Sequence, residues 1–222
     1  MSEHTYKEKF YSFLQQYQPD RADELLAQFD AYLEVLFAQN QMVNMISRQM
    51  PKADYWLYHF LDSLLVLKCM DLQAGDALDF GSGGGLPGIP LKLVYPEMKM
   101  TLLDSVGKKV KCMQEMITQI DLQECTAVWA RIEDYTKVFS GKRFDYIFCR
   151  SVRVEESFIE PLYKLLRPGG RAVFYKAHQA EDVTVFRNIT VSDVSLPELG
   201  KRQIINVPRN SLEQYLTNRK LG

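Results

Sequence analysis

The sequence predicts an α/β fold in which a mostly parallel sheet follows a helical N-terminal region. Two observations lead to this prediction. Apolar residues recur at helical spacing through the first 70 residues. From residue 77 onward, short apolar runs alternate with helical patterns, as they do where parallel strands are joined by crossover helices.

Seven apolar runs are expected to be strands. The first five, each followed by a helical pattern or a turn, are residues 77–80, 100–104, 125–130, 144–149 and 171–176. Two more, 189–194 and 201–207, are joined by a turn at 197–200 and predict an antiparallel hairpin at the edge of the sheet. Seven strands in this arrangement are typical of the methyltransferase-like variant of the Rossmann sheet.

The N-terminal region is expected to be a helical extension. Its first clear stripe runs from Leu25 to Phe37, and Pro19-Asp20 predicts a break followed by an N-cap. A second amphipathic stretch covers residues 55–70. We therefore expect residues 1–74 to pack as a helical region on a core formed by residues 75–222.

Composition limits the classes of function. The chain has 222 residues, of which 46% are hydrophobic, so it can bury a large core. Its 27 Lys and Arg against 28 Asp and Glu give no overall basic field. No signal peptide or membrane-spanning run is evident, which predicts a cytoplasmic protein. The four scattered cysteines predict reduced, buried thiols and no metal site.

The glycine-rich turn after the first strand predicts a nucleoside cofactor. Residues 83–88 match the dinucleotide pattern GxGxxG, whereas residues 79–85 match the DxGxGxG pattern of S-adenosylmethionine enzymes. Pro87 and Pro90 at the following helix start remove amides that a pyrophosphate would need. The second pattern is therefore favoured.

Two carboxylates bear on the cofactor, and the first of them favours S-adenosylmethionine. Asp79 precedes the turn, where it is expected to face a cationic amine or sulfonium and would repel a pyrophosphate. Asp104 ends the second strand, where a carboxylate accepts the hydroxyls of a ribose. Its alternative role is to cap the helix that starts near Gly107. The segment 166–170, LRPGG, predicts the turn that precedes the fifth strand, or simply a helix stop.

Several short segments resemble one family. They are 86–90 (LPGIP), 102–105 (LLDS) with the following lysines, 131–134 (RIED) and 59–63 (HFLDS). In this order they are similar to the bacterial RsmG (GidB) family of 16S rRNA guanine-N7 methyltransferases, over about residues 25–180. The resemblance implies S-adenosyl-L-methionine as cofactor and 16S rRNA or the small ribosomal subunit as partner. It is weaker in the substrate half.

The resemblance also implies a cofactor site. Gly81, with Gly83 beside it, and Leu86 would lie at the methionine end, and Ile132 and Glu133 at the adenine end. No catalytic acid or base is expected, because guanine N7 carries a lone pair and no proton to remove.

Arg150 matches the family's cofactor-site arginine and would grip a carboxylate or phosphate at two points. Its alternative role is a surface ion pair with Asp145 or Glu155.

RNA requires positive charge near the cofactor. Arg153, Lys176 and His178, together with Arg150, are expected on one rim, and the second candidate cluster is Lys108, Lys109 and Lys111. His59 is expected either to shape the mouth of the pocket or to be packed. Its spacing from Asp62 and Ser63 places all three on one helix face, which argues against a hydrolase triad.

Two other functions remain open at this stage. The first is a methyltransferase that acts on another RNA or a small molecule, and the second is an NAD-dependent oxidoreductase to which the GxGxxG pattern would belong. A monomer without metal is expected in each case.

Overall fold

A computed structural model describes residues 3–139, 141, 143–177 and 180–220. Its centre is a sheet of seven strands: β1 (Asp76–Phe80), β2 (Lys99–Asp104), β3 (Cys125–Trp129), β4 (Phe144–Arg150), β5 (Leu166–Lys176), β6 (Thr190–Asp193) and β7 (Gln203–Pro208). The strand order is β3-β2-β1-β4-β5-β7-β6. The first five strands are parallel, and β7 is antiparallel to both of its neighbours. The predicted fold class and edge hairpin are confirmed.

The fifth strand starts earlier than predicted. The LRPGG segment lies within β5, where Leu166 pairs with Phe144 before the register shifts. Gly169 has a φ of +81°, and a Cβ on Gly170 would lie 2.9 Å from the Phe144 carbonyl oxygen. The two glycines therefore allow an irregularity inside the strand, and the segment is not merely a helix stop.

The N-terminal region is helical, with more irregular geometry than expected. Helices α1 (Glu3–Tyr17) and α2 (Ala22–Met42) are followed by a π-helical segment (Trp56–Leu61), the short α3 (Asp62–Leu64) and a 3₁₀ segment (Leu65–Lys68). The predicted N-cap is wrong, because Asp20 lies in a 3₁₀ turn and Arg21 precedes α2 without a side-chain cap. The division into domains at residue 74 stays a prediction.

The two faces of the sheet are covered by different helices. The remaining helices are α4 (Gly88–Val94), α5 (Gly107–Gln119), α6 (Ile132–Val138), α7 (Glu156–Leu165) and α8 (Arg209–Lys220). Ala77 and Leu102 point into one apolar cluster with the N-terminal helices, α4 and α5. Leu78 and Leu103 point into the other, with α6, α7 and α8. The alternation of side chains along each strand thus places both faces in contact with helices.

Cysteine burial differs from the prediction at one position. All four cysteines are free, and Cys112, Cys125 and Cys149 are buried, but Cys69 is exposed after the 3₁₀ segment. Burial raises the pKa of the Cys125 thiol to about 12. None of the helices in the described ranges has the length and hydrophobicity that spanning a lipid bilayer requires. The same ranges contain no group of three or more His, Cys, Asp or Glu suited to a metal ion.

Candidate functional site

The glycine turn joins β1 to α4 and is bound to the neighbouring strand. The Gly81 and Ser82 amides donate to the Leu103 carbonyl oxygen, at 2.9 and 3.1 Å. Gly81 has a φ of +75°, and a Cβ there would lie 2.7 Å from Val152 Cγ2. Glycine is therefore required at this position both by the backbone conformation and by the space available.

Asp104 ties the turn to the loop that precedes α5. Its Oδ2 accepts the Gly83 amide at 2.9 Å, and its Oδ1 accepts the Val106 amide at 2.8 Å. The N-cap of α5 is Val106, so Asp104 orders the approach to this helix without being its cap residue. A carboxylate oxygen can accept two hydrogen bonds, so each oxygen of Asp104 can accept one more, from a ligand hydroxyl.

Asp79 lies beneath the turn. Its side chain is fully buried, and its Oδ2 accepts the Gly88 amide at 2.9 Å, at the first residue of α4. Its Oδ1 is buried without a hydrogen-bond partner among the described residues. The expectation that this carboxylate faces the ligand is therefore corrected, because α4 covers it. Burial raises the pKa of the Asp79 carboxyl to about 7, an effect that Arg150 opposes.

This pKa predicts a pH-dependent stability. Because the carboxyl titrates near 7 in the folded protein and at 3.8 ordinarily, the folded state binds more protons between these values. Its contribution to stability is complete below about pH 4 and is lost as pH rises through about 7.

We expect the wild-type protein to lose on the order of a few kcal/mol of folding stability as pH rises across this window. Asp79→Asn, whose side chain stays neutral, should not show this loss. Urea unfolding at about pH 5 and about pH 8 measures the difference. Equal pH dependence in the variant and the wild type would contradict this assignment, and the exposed Asp134→Asn serves as control.

The Asp79 contact also bears on the dinucleotide alternative. In that reading, a pyrophosphate binds the amides at the start of the helix after β1. Here the Gly88 amide is already bound by a buried carboxylate oxygen. Pro87 and Pro90, on either side of it, have no amide hydrogen. The start of α4 is therefore poorly suited to a pyrophosphate.

The N-terminal helices support the turn from its other side. The Tyr32 hydroxyl, on α2, donates to the Gly84 carbonyl oxygen at 2.8 Å, and both groups are buried. Asn40 Oδ1 accepts the amides of Met45 and Ile46, at 2.9 and 3.0 Å. The sequence analysis missed Tyr32 and Asn40. The signal that could have found them is the presence of a polar group at two positions on the buried face of α2.

The residues expected at the adenine end follow β3. Ile132 begins α6 and is buried, and Glu133 beside it is half-buried. The Ala130 amide donates to the Asp104 carbonyl oxygen at 3.2 Å, which keeps the end of β3 next to the end of β2. Leu86, on the turn, is buried. The structure thus gathers the predicted cofactor residues along adjacent carboxyl ends of strands.

Arg150, at the end of β4, belongs to a buried ion network. Its Nη1 donates to Asp62 Oδ2 at 3.0 Å and to the Tyr58 carbonyl oxygen at 3.4 Å. Arg202 Nε donates to the other oxygen of Asp62 at 2.7 Å. One carboxylate on α3 therefore lies between two guanidinium groups, one from the end of β4 and one from the residue before β7.

The suggested surface pair of Arg150 with Asp145 or Glu155 is wrong, because Asp62 is the partner. Asp145 pairs with Arg167 instead. Arg202 was missed by the sequence analysis, and its contact with Asp62 crosses 140 residues of chain. A contact between residues so far apart in the chain cannot be predicted from a local sequence pattern.

A cavity of about 540 Å³ opens beside the glycine turn, at the ends of β4 and β5. Its lining includes three of the cations that were expected on one rim, Arg150, Arg153 and Lys176. Arg202 also lines it. Val152, which approaches Gly81, also lines the cavity and connects it to the turn. His178, the remaining predicted rim residue, lies outside the described residues.

Lys176 is mostly buried, and its charge is compensated. Its Nζ donates to Asp182 Oδ2 at 2.6 Å and to the Val152 carbonyl oxygen at 3.0 Å. The same Asp182 oxygen accepts the Val154 amide at 2.6 Å. Lys176 and Asp182 therefore brace the loop after β4, whereas Arg153 on that loop is exposed.

His59 is buried near Arg150 and is not among the residues that line the cavity. Its side chain is buried against Tyr55, with the two rings edge to face at 5.1 Å. Burial, with a smaller effect from Arg150, lowers the pKa of His59 to about 3, so the ring is neutral. The Ser63 hydroxyl donates to the His59 main-chain oxygen at 2.6 Å. This arrangement contains no nucleophile paired with an imidazole base.

The family model described as GidB, rRNA small subunit methyltransferase G, matches residues 25–201 of this chain. The chain belongs to this family. The match covers the N-terminal support of the glycine turn, the turn itself and strands β1 to β6. Arg202 follows the matched region immediately.

Curated members of the rRNA small subunit methyltransferase G family show moderate identity. The protein of that name from Oenococcus oeni is 33% identical over 78% of this chain and 71% of its own length. The Chlorobium limicola protein is 36% identical over 72% of this chain and 69% of its own length. The Streptococcus agalactiae protein is 29% identical over 96% of this chain and 95% of its own length, so the similarity extends over nearly the whole chain.

Solved structures support the fold. A variant of MtNAS in complex with S-adenosylmethionine superposes with a TM-score of 0.55, at 13% identity over 89% of this chain and 82% of that chain. The precorrin-6y C5,15-methyltransferase of Geobacter metallireducens gives 0.53, at 13% identity over 73% and 91%. Together with the strand order, they identify the class I methyltransferase fold.

Proposed function

We propose that this protein transfers a methyl group from S-adenosyl-L-methionine to N7 of a guanine in 16S rRNA. The observation that carries the proposal is the glycine turn, bound to Asp104 and adjoining a cation-lined cavity, within a chain of the rRNA small subunit methyltransferase G family. The partner is 16S rRNA or the small ribosomal subunit. We further propose that the enzyme acts as a monomer in the cytoplasm, where that substrate is found.

The residues of the turn fit the cofactor. Gly81 and Gly83, with φ of +75° and +57°, keep the backbone free of Cβ atoms where the ligand approaches. When bound, the cofactor supplies a methyl group activated by a positively charged sulfur. We assign Gly81, Gly83 and Leu86 to the methionine end, Asp104 to the ribose hydroxyls, and Ile132 and Glu133 to the adenine. Asp79 contributes by holding the start of α4.

Arg150 is suited to binding an anion at this site. Both of its hydrogen bonds use Nη1, and neither Nε nor Nη2 makes a hydrogen bond to a described residue. Asp62 fixes the guanidinium, so its remaining edge is preorganised for the carboxylate of the cofactor. Arginine stays protonated and cannot act as a base.

The chemistry needs alignment more than proton transfer. Because guanine N7 has a free lone pair, methyl transfer requires the nitrogen to lie in line with the methyl group and its leaving sulfur. Proximity and orientation supply roughly 7–11 kcal/mol in favourable cases. The neutral His59 and the absence of an acid–base pair among the described site residues agree with this requirement.

On the substrate side, Arg153 is the cation presented to solvent at the rim. We propose that it binds a phosphate of the RNA. Lys176 positions the loop that carries Arg153, because its Nζ holds the Val152 carbonyl oxygen. His59 shapes the pocket through packing.

We expect Asp104→Ala to weaken cofactor binding while RNA affinity stays nearly unchanged. It also leaves the Gly83 and Val106 amides without their acceptor, at a cost in stability of about 1–3 kcal/mol. Calorimetry with the cofactor and a filter-binding assay with 16S rRNA measure the two affinities. The exposed Asp134→Ala is the control. An equal loss of both affinities would indicate only a folding role.

Mass spectrometry of rRNA tests the function itself. Digested 16S rRNA from cells with and without this protein is compared for 7-methylguanosine. Naked 16S rRNA and small subunits lacking the modification are then tested with purified enzyme. We expect a single guanine to gain the methyl group only when the protein is present. Methyl transfer to neither substrate would favour another RNA or a small molecule, the open alternative.

A further inference from the structure

An exposed tryptophan stands at the edge of the sheet, near the proposed adenine end. Trp129 ends β3, the edge strand, and its side chain is 71% exposed. Its indole nitrogen donates to the Ser105 carbonyl oxygen at 3.0 Å. This bond fixes the orientation of the ring although most of its surface is in solvent. A large aromatic side chain held in this way is unusual on a surface without a partner.

Gly107 provides the ring with a flat support. A Cβ at Gly107 would lie 3.1 Å from Trp129 Cε2 and 3.2 Å from Cδ2, so one face of the indole rests on this backbone. With any other residue at this position, the ring would have to shift by a few tenths of an ångström. Val106, beside it, is itself 45% exposed. The opposite face of the indole is therefore available as a rigid apolar surface.

Four cations that form no salt bridge with a described residue lie near Trp129 along the chain or on the neighbouring helix. Lys108, Lys109 and Lys111 lie in the first turns of α5, and Arg131 lies two residues after the end of β3. None of the four forms a salt bridge with a described residue. In a chain with a net charge of −1, their grouping makes a local positive surface. We call Trp129 and these four residues the β3-edge surface.

We propose that the β3-edge surface binds single-stranded RNA, with an unpaired base stacked on Trp129 and the adjacent phosphates held by the lysines. This combination of an aromatic face and neighbouring cations is how proteins bind single strands without reading sequence. The proposal rests on the proposed function and extends it from the modified guanine to its flanking nucleotides.

The location suits this role. The surface lies at the carboxyl edge of the parallel strands, the edge that also carries Arg150 and Lys176. β3 and β4 are separated by three strand spacings, or about 14 Å at ~4.8 Å each. One RNA strand can therefore reach both the β3-edge surface and the Arg153 rim.

The two tryptophans of the chain make the test direct. Trp56 is buried, so fluorescence quenching by added RNA reports Trp129. The probes are naked 16S rRNA and a short oligoadenylate. We expect both to quench the wild-type protein and not Trp129→Phe. We expect Trp129→Ala to lose roughly 5- to 140-fold in RNA affinity. Trp129→Phe should keep most of the wild-type affinity, because its ring can still stack on a base. Lys108→Ala should lower the salt dependence of binding by about one phosphate contact.

The control is Val138→Ala, which truncates an apolar side chain that is 75% exposed on α6. Unchanged RNA affinity in Trp129→Ala would overturn the proposal, as would an equal loss in Val138→Ala. Weaker cofactor binding with unchanged RNA affinity would also overturn it and make Trp129 a cover for the cofactor. Methyl transfer to 16S rRNA is measured separately, so quenching by RNA without methyl transfer would refute the proposed function and leave this surface standing.

Discussion

Replacing Gly81 with arginine is expected to abolish S-adenosyl-L-methionine binding while the protein stays folded. A Cβ at this position would lie 2.7 Å from Val152 Cγ2, and the backbone φ of +75° disfavours any residue with a side chain. The long side chain would also occupy the space next to the turn where we place the cofactor. We expect calorimetry to detect no binding, and methyl transfer to be lost with it.

Gly169→Arg is the matched control. Gly169 has a similar φ, +81°, but no atom lies within 4 Å of its added Cβ. It therefore carries the same backbone cost, about 1 kcal/mol, without a clash near the site. The control should bind the cofactor like the wild type, and circular dichroism should show both variants folded. Cofactor binding retained by Gly81→Arg would contradict the placement of the site.

Replacing Asp62 with alanine is expected to destabilise the protein by about 3–5 kcal/mol, because it leaves buried guanidinium groups without their carboxylate. The side chains of Asp62 and Arg150 are each 12% exposed, and that of Arg202 is 23% exposed, so solvent screens the pairs only weakly. Arg150 would also lose the partner that orients it. We expect lower cofactor affinity in the folded variant, and urea unfolding to give the stability change.

Two further variants separate the causes. In Asp62→Ala/Arg202→Met, one of the two uncompensated charges is gone, and we expect part of the stability to return. Asp134→Ala breaks an exposed pair with Lys137 and should change stability by less than about 1 kcal/mol. A change of similar size for Asp62→Ala would show that the network contributes little to folding.

The strands were predicted closely because their signal is local. β1 to β4 differ from the predicted runs by at most one residue at either end, and each run is apolar since both faces of the sheet are covered. The early start of β5 was missed because glycine and proline usually mark turns. Here they lie in an irregular part of the strand beside Phe144.

The candidate site was predicted in part for the same reason. Gly81 and Asp104 belong to short motifs at strand ends, and the order of parallel strands brings such ends together. The orientation of Asp79 was not predictable, because it depends on how α4 packs over β1. Once it is covered, burial raises the pKa of the carboxyl to about 7, although the hydrogen bond from the Gly88 amide opposes this rise.

The sheet, the cofactor turn and the family could be predicted from the sequence, because apolar periodicity and short glycine motifs involve neighbouring residues. The partners of the charged groups depend instead on how distant parts of the chain pack together. Asp62 meets Arg150 across 88 residues and Arg202 across 140, and Lys176 meets a carboxylate on the following loop. Such pairs form where folding removes charges from water, and burial of this kind is a property of the packed chain that no local pattern contains.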